Sequence, residues 1–220
     1  MTMLSGIYRI VAAGGLLFAA NVQAMAEPIG VVALYKGDKS ALSAMTSSHD
    51  CSIRRGGTVL ARQGNLDLPE LDRFAVLSCA ESPLKSTALG TFLPDTAQPF
   101  LLLEGDLQEF DAAGGSQADQ REYLLKLSYY TNSDPVGRSK DLAALADWVA
   151  PLEDPYRTES FLEVHRASGL RTPDEVVTLF YDSPEAGNRF REANQAVLEK
   201  VGAFNKAHLV SFVYLVAKAD

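Results

Sequence analysis

TPDEVVTLFYDSPEAGNRFREANQAVLEKVGAFNKAHLVSFVYLVA, Thr172 to Ala217, is the stretch on which the fold turns. Val176 to Tyr181 is a β-branched and aromatic run too short for a free-standing helix, which favours a buried strand. A helix stays open as the alternative, because Thr172, Pro173 and Glu175 are spaced as an N-cap, a first-turn proline and a capping-box acid. Ser183 and Pro184 then open a helix as N-cap and first-turn proline. Its apolar face is Phe190, Ala193, Val197, Val201 and Phe204, at three- and four-residue steps, with Glu192, Gln195 and Glu199 opposite. Gly202 loosens the last turn, and His208 to Val216 returns as a strand apolar on both faces, which belongs inside a sheet covered on both sides.

Outward from this unit, 220 residues at 47% apolar content bury a substantial core, and neither disorder nor a membrane bundle fits. The first 26 residues read as a secretory signal peptide: Arg9, the apolar run Ile10 to Ala20, and an A-x-A site at Ala24-Met25-Ala26. Their removal leaves 19 basic against 28 acidic residues, a formal charge of −9. So acidic a surface repels phosphate backbones, which argues against nucleic acid as a partner. No membrane span is expected in the mature chain. The expected location is the periplasm, with secretion as the alternative. In an oxidising compartment the two cysteines, Cys51 and Cys79, read as one disulfide, which stabilises by about 3 kcal/mol in the chain-entropy model. The sharper alternative, a metal or nucleophile role for His49-Asp50-Cys51, is weakened because adjacent side chains point in different directions.

In chain order, strands are expected at Ile29–Tyr35, Cys51–Leu60 with a bulge at Gly56-Gly57, Phe74–Cys79 and Phe100–Glu104, and helices over Lys39–Thr46 and from Ser82 to about Phe92. Asp111 to Gly115 marks a boundary. Glu122–Tyr130 alternates as a strand, Ser139 caps a helix with Leu142, Leu145, Ala146 and Val149 on one face, and Phe161–Arg166 is the next strand. The order β-α-β-β-α-β thus occurs twice. The expectation is an α+β protein of tandem ferredoxin-like βαββαβ units with antiparallel sheets, 27–111 and 116–220.

The second half, with KLSYYT, DLAALADWV, FLEVHRASG and EVVTLFYDSPEAGNRF, resembles the dimeric α/β-barrel superfamily, which includes antibiotic-biosynthesis-type monooxygenases. That resemblance implies ferredoxin-like units paired as a barrel or back to back, a homodimer as one way of pairing them, and a small-molecule cavity between sheet and helices. Some members are oxygenases or haem-handling enzymes, whereas no catalytic motif of the family carries over to this chain. No cofactor follows from the residues.

The candidate ligand-binding residues are His165, Glu163, Tyr181 and Tyr129. On a strand Glu163 and His165 share one face about 7 Å apart, within reach of one ligand; the competing reading makes that face solvated, with Leu162 and Val164 turned to the core. Tyr123, Tyr129, Tyr130, Tyr156, Tyr181 and Tyr214, with Trp148, either line an aromatic cavity or serve as core and rim. His208 reads as a capping or edge residue that begins the last strand, His49 as an exposed loop residue, and Arg54-Arg55 as a solvated turn, with an anion site as the alternative. The chain lacks a P-loop, a G-x-S-x-G elbow, an H-E-x-x-H helix, a C-x-x-C pair and an EF-hand loop, which removes the usual support for the corresponding enzymes and calcium sites. The leading expectation is therefore a small-molecule or partner-binding protein; the alternative is an oxidoreductase, monooxygenase or haem-handling enzyme that uses His165.

Overall fold

The computed structural model describes residues 28–37, 40–85, 100–110, 118–153 and 155–220. The expected signal peptide, the bulk of the helix expected from Ser82 and the boundary at Asp111 to Gly115 lie outside the described residues. Eight strands, β1 (Ile29–Tyr35), β2 (Cys51–Gly64), β3 (Arg73–Cys79), β4 (Phe100–Glu109), β5 (Glu122–Tyr130), β6 (Arg157–Ser168), β7 (Glu175–Tyr181) and β8 (Leu209–Ala219), close into one antiparallel barrel in the order β1-β3-β2-β8-β5-β7-β6-β4. Four α-helices are described: α1 (Ser40–Ser48), α2 (Pro135–Val149), α3 (Pro184–Ala193) and α4 (Gln195–His208).

The closure follows from the period-two pattern of the strands. In β5, Tyr123, Leu125 and Leu127 are fully buried and share a cluster with Phe74, Leu103, Leu162, Phe180 and Leu215, one residue set from nearly every strand. An eight-stranded barrel is just wide enough for such side chains to fill. Phe74, Tyr123 and Phe180 stack across it with ring centroids 6.0 and 6.4 Å apart. The outward faces form two further clusters. One, on β1 and β3, packs on Leu42 of α1; the other joins Tyr181 to Phe190, Val197 and Val149 of the helices.

Two strand pairs, β2 with β8 and β4 with β6, join the first four strands to the last four, and both carry a bulge. At the second, Gly105 is required because a Cβ there would lie 1.7 Å from the Glu163 carbonyl oxygen. The expected disulfide Cys51–Cys79 is present between directly paired residues of β2 and β3.

Several expectations are corrected. The strand reading of Val176 to Tyr181 holds, but the helix after it is two, broken at Asn194, whose side chain donates to the Phe190 carbonyl. His208 ends α4 rather than starting a strand, because Thr131 N–H caps its carbonyl and the chain turns extended at Leu209. Ser139 is not a cap: Asp134 accepts from Gly137 N–H at 2.8 Å with Pro135 in the first turn, and Ser139 Oγ donates back to the Pro135 carbonyl. The expected apolar face of that helix is not a core face either, since of α2 only Val149 is buried. His49 is buried at the end of α1, not exposed. Arg55 is not a solvated turn residue, because the β2 bulge turns it to the Glu159 carboxylate at 2.7 Å.

Candidate functional site

The structure separates the four expected site residues. Glu163 and His165 do share the outer face of β6, with Leu162 and Val164 turned inward. That face is open: His165 is 50% exposed, with Nε2 3.6 Å from the exposed Asp106 carboxylate. Tyr181 is outward too, but buried among Tyr156 and Phe190, and burial pushes its hydroxyl up to about 12. Tyr129 is also buried; its hydroxyl donates to the Arg171 carbonyl while the Arg171 guanidinium lies 4.1 Å over its ring. By register Tyr181 pairs with Glu122, at the opposite end of β5 from Tyr129. These side chains therefore do not meet in one place.

What the fold brings together instead lies between the outer face of β5 and β8 and the helices α2 and α4. Glu122, Leu124, Lys126, Ser128 and Tyr130 alternate outward on β5 and are covered by helices, so a strand with one charged side still has both faces out of water. Lys126 Nζ donates to Asn205 Oδ1 of α4 at 3.0 Å, and Asn205 Nδ2 donates to the Tyr214 hydroxyl at 3.2 Å. The ammonium lies 5.2 Å from the Phe204 ring centroid and 5.6 Å from that of Tyr214. Burial pulls Lys126 down to about 8, against the weaker opposing pull of the Glu175 carboxylate. Burial likewise raises Tyr214 to about 12, and burial together with Glu175, 2.6 Å away, raises Tyr130. Ser128 is fully buried, and its Oγ has no hydrogen-bond partner among the described residues.

On the other side of Phe204 a cleft of about 300 Å³ opens between α2 and α4. It is lined by Asp141, Leu145 and Trp148 of α2 and by Lys200, Ala203 and Phe204 of α4. Trp148 is 46% exposed and carries Lys200 Nζ 3.2 Å from its ring centroid. At one end of the cleft, His208 Nε2 lies 2.8 Å from the Asp141 carboxylate and its ring stacks on Phe204 at 4.9 Å. The cleft thus pairs two aromatic walls with one acid and one base, a lining that suits an apolar, flat molecule with a polar end.

Sequence reasoning singled out Trp148 but missed Lys126, Asp141, Lys200 and Asn205, and set His208 aside. The alternation of β5 puts Lys126 opposite Leu125 and Leu127 but does not say whether its side is solvated or covered, since an antiparallel sheet can leave one face in water.

A closed antiparallel α+β barrel with helices outside it is the class this geometry defines. Among solved structures it is similar to chlorite dismutase from Candidatus Nitrospira defluvii in complex with imidazole, with 10% identity, a TM-score of 0.51, and coverage of 88% of this chain and 91% of that one. An anthrone oxidase-like protein matches at 18% identity and a TM-score of 0.45, over 88% of this chain and 93% of that one. At such identities the likeness speaks for the fold alone. No family model matches the chain, and no curated protein matches it.

Proposed function

We propose that this chain is an exported small-molecule-binding protein, built of two ferredoxin-like units at 27–111 and 116–220, that holds its ligand between α2 and α4. One observation carries the reading. Trp148 of α2, 46% exposed, and Phe204 of α4 line one open cleft of about 300 Å³ between the two helices. Leaving that surface in water forgoes about 25 cal/mol per Å² of burial, which a ligand inserted between Trp148 and Phe204 recovers. Asp141 and Lys200 at the rim select the polar end of such a molecule.

The test uses the single tryptophan of the chain, which stands in the cleft. Titration with 1-naphthol, a flat apolar probe with one hydroxyl, quenches Trp148 fluorescence saturably in the wild type and weakly in Phe204→Leu. Linear, unsaturable quenching in both would end the proposal. Export is checked by the mass of protein recovered from the cell envelope, which places cleavage after Ala26. A native mass from the same sample reports whether a second copy is bound.

A second reading, an oxidoreductase of the monooxygenase type, is favoured by the His208–Asp141 pair at the cleft edge, an imidazole oriented by a carboxylate as a general base is. Oxygen uptake with a cleft ligand that is lost in His208→Ala and kept in His165→Ala supports it; the reverse pattern returns the role to the β6 face. A haem does not suit the cleft. Its iron takes an axial His, thiolate, Met or Tyr, and the histidine here already has Nε2 on Asp141 and its ring against Phe204. Both cysteines are in the disulfide.

A further inference from the structure

We propose that Lys126 is a covalent attachment point for carbonyl compounds, an aldehyde from the α2–α4 cleft condensing with its Nζ to an imine. The proposal rests on the cleft as a ligand site and adds the substrate class. A buried lysine is ordinarily held by a carboxylate. Here, among the described residues, Nζ has the neutral Asn205 Oδ1 as its hydrogen-bond partner, at 3.0 Å, and two aromatic rings beside it. The acceptor oxygen, the two ring faces and the Glu175 carboxylate all favour the ammonium, but burial of Nζ outweighs them and pulls the group down to about 8, so a neutral fraction is present near neutral pH. A neutral amine is the nucleophile in imine formation.

Two further features fit a carbonyl ligand. Ser128 lies two residues along the same outward face of β5, about 7 Å away, and its unpartnered, fully buried Oγ is a donor waiting for an oxygen. Phe204 is the wall shared by the two spaces, lining the cleft on one side and facing Nζ on the other. In the reaction the nitrogen lone pair bonds to the carbonyl carbon and the π pair moves to oxygen. A proton passes from nitrogen to that oxygen, and the carbinolamine then loses water to leave a C=N bond. No oxidant or reductant is consumed, and hydrolysis reverses the step.

The intact protein is incubated with limiting benzaldehyde, trapped with sodium cyanoborohydride and mapped by peptide mass, while benzyl alcohol, which cannot condense, is titrated against Trp148 fluorescence. The expected result is a benzyl adduct on Lys126 roughly tenfold or more above the exposed Lys140 and Lys206, since the neutral fraction of an amine grows about tenfold per unit that its pKa falls. Phe204→Leu, which weakens binding in the cleft, slows labelling of Lys126 severalfold and leaves Lys140 unchanged. Saturable quenching by benzyl alcohol with adducts only on exposed lysines overturns the imine and leaves the cleft standing. Adduct on Lys126 without quenching keeps the imine and overturns the cleft as its entrance. Neither signal overturns both.

Discussion

Replacing Lys126 by methionine should change how the stability of this protein depends on pH. In the folded chain burial holds the amine near 8, whereas unfolded it titrates near its ordinary 10.5. Between those values the unfolded chain binds more protons than the folded one, so unfolding free energy rises with pH across that window. From about pH 7 to about pH 9.5 the rise from this one group is about 2 kcal/mol. Lys126→Met removes it. At neutral pH the substitution relieves a desolvation cost of about 3 kcal/mol but strands Asn205 Oδ1, a loss of about 1–3 kcal/mol. The variant is therefore close to wild type at pH 7 and falls behind it by about 2 kcal/mol at pH 9.5.

Urea unfolding followed by circular dichroism, on both proteins at matched salt, reads the difference directly. The upper pH stays below the range where Tyr214 and Tyr181, both raised to about 12, act in the opposite direction. Those hydroxyls keep their protons when folded and lose them near 10 when unfolded, so stability declines above about pH 10. A difference between the two proteins that is constant from pH 7 to pH 9.5 would refute the reasoning, because it would mean Lys126 is solvated in the folded state.

Glu159→Gln costs about 3 kcal/mol or more in urea unfolding, since the Glu159 carboxylate, 4% exposed, balances Arg55 at 2.7 Å and Arg121 at 3.0 Å and accepts from the Tyr123 hydroxyl. Trp148→Ala abolishes tryptophan fluorescence and lowers naphthol affinity, read by calorimetry, yet shifts stability by less than about 1 kcal/mol because the ring is 46% exposed. Changing Cys51 and Cys79 together to serine costs about 3 kcal/mol in the chain-entropy model, and a midpoint equal to that of the oxidised wild type would show the bond to be idle. Gly105→Ala costs about 3 kcal/mol, as the β4 bulge opens to move a Cβ off the Glu163 carbonyl.

Strand identity was legible wherever side chains alternate or branch at Cβ: Glu122–Tyr130 and Val176–Tyr181 read as strands and are. Helix termini were less so. Asp134 and Ser139 are both N-cap residue types, and what decides between them is Pro135, whose missing N–H suits the first turn after Asp134. The break at Asn194 is not written in the apolar spacing, which runs through it from Phe190 to Phe204. The site was hidden for a different reason. Sequence period says that Lys126 and Leu127 face opposite ways, but only the closure of the barrel says which way is wet. His165 and Lys126 look alike as basic side chains on alternating strands; one is half exposed and the other lies under α4. Periodicity is local, and what covers a face is not.

Why the two sets of four strands close on each other can be argued from their buried charges. Glu104 of β4, 2% exposed, accepts from Ser82 Oγ and Leu84 N–H in the first set and pairs with Arg166 of β6 in the second. Glu159 of β6 in turn meets Arg55 of β2 and, on its own side, Arg121 and Tyr123. Each carboxylate would be left with a partner missing if the sets parted, and a buried charge deprived of a partner is worth several kcal/mol of destabilisation. A register slip by one residue along β4–β6 carries the same penalty, because it turns Glu104 and Arg166 to opposite faces. Apolar packing alone would tolerate several pairings of alternating strands. These two carboxylates accept one. Because both sets lie on one chain, closure competes with a second copy at an effective concentration of about millimolar, so the barrel forms within the chain and any dimer must use its outside.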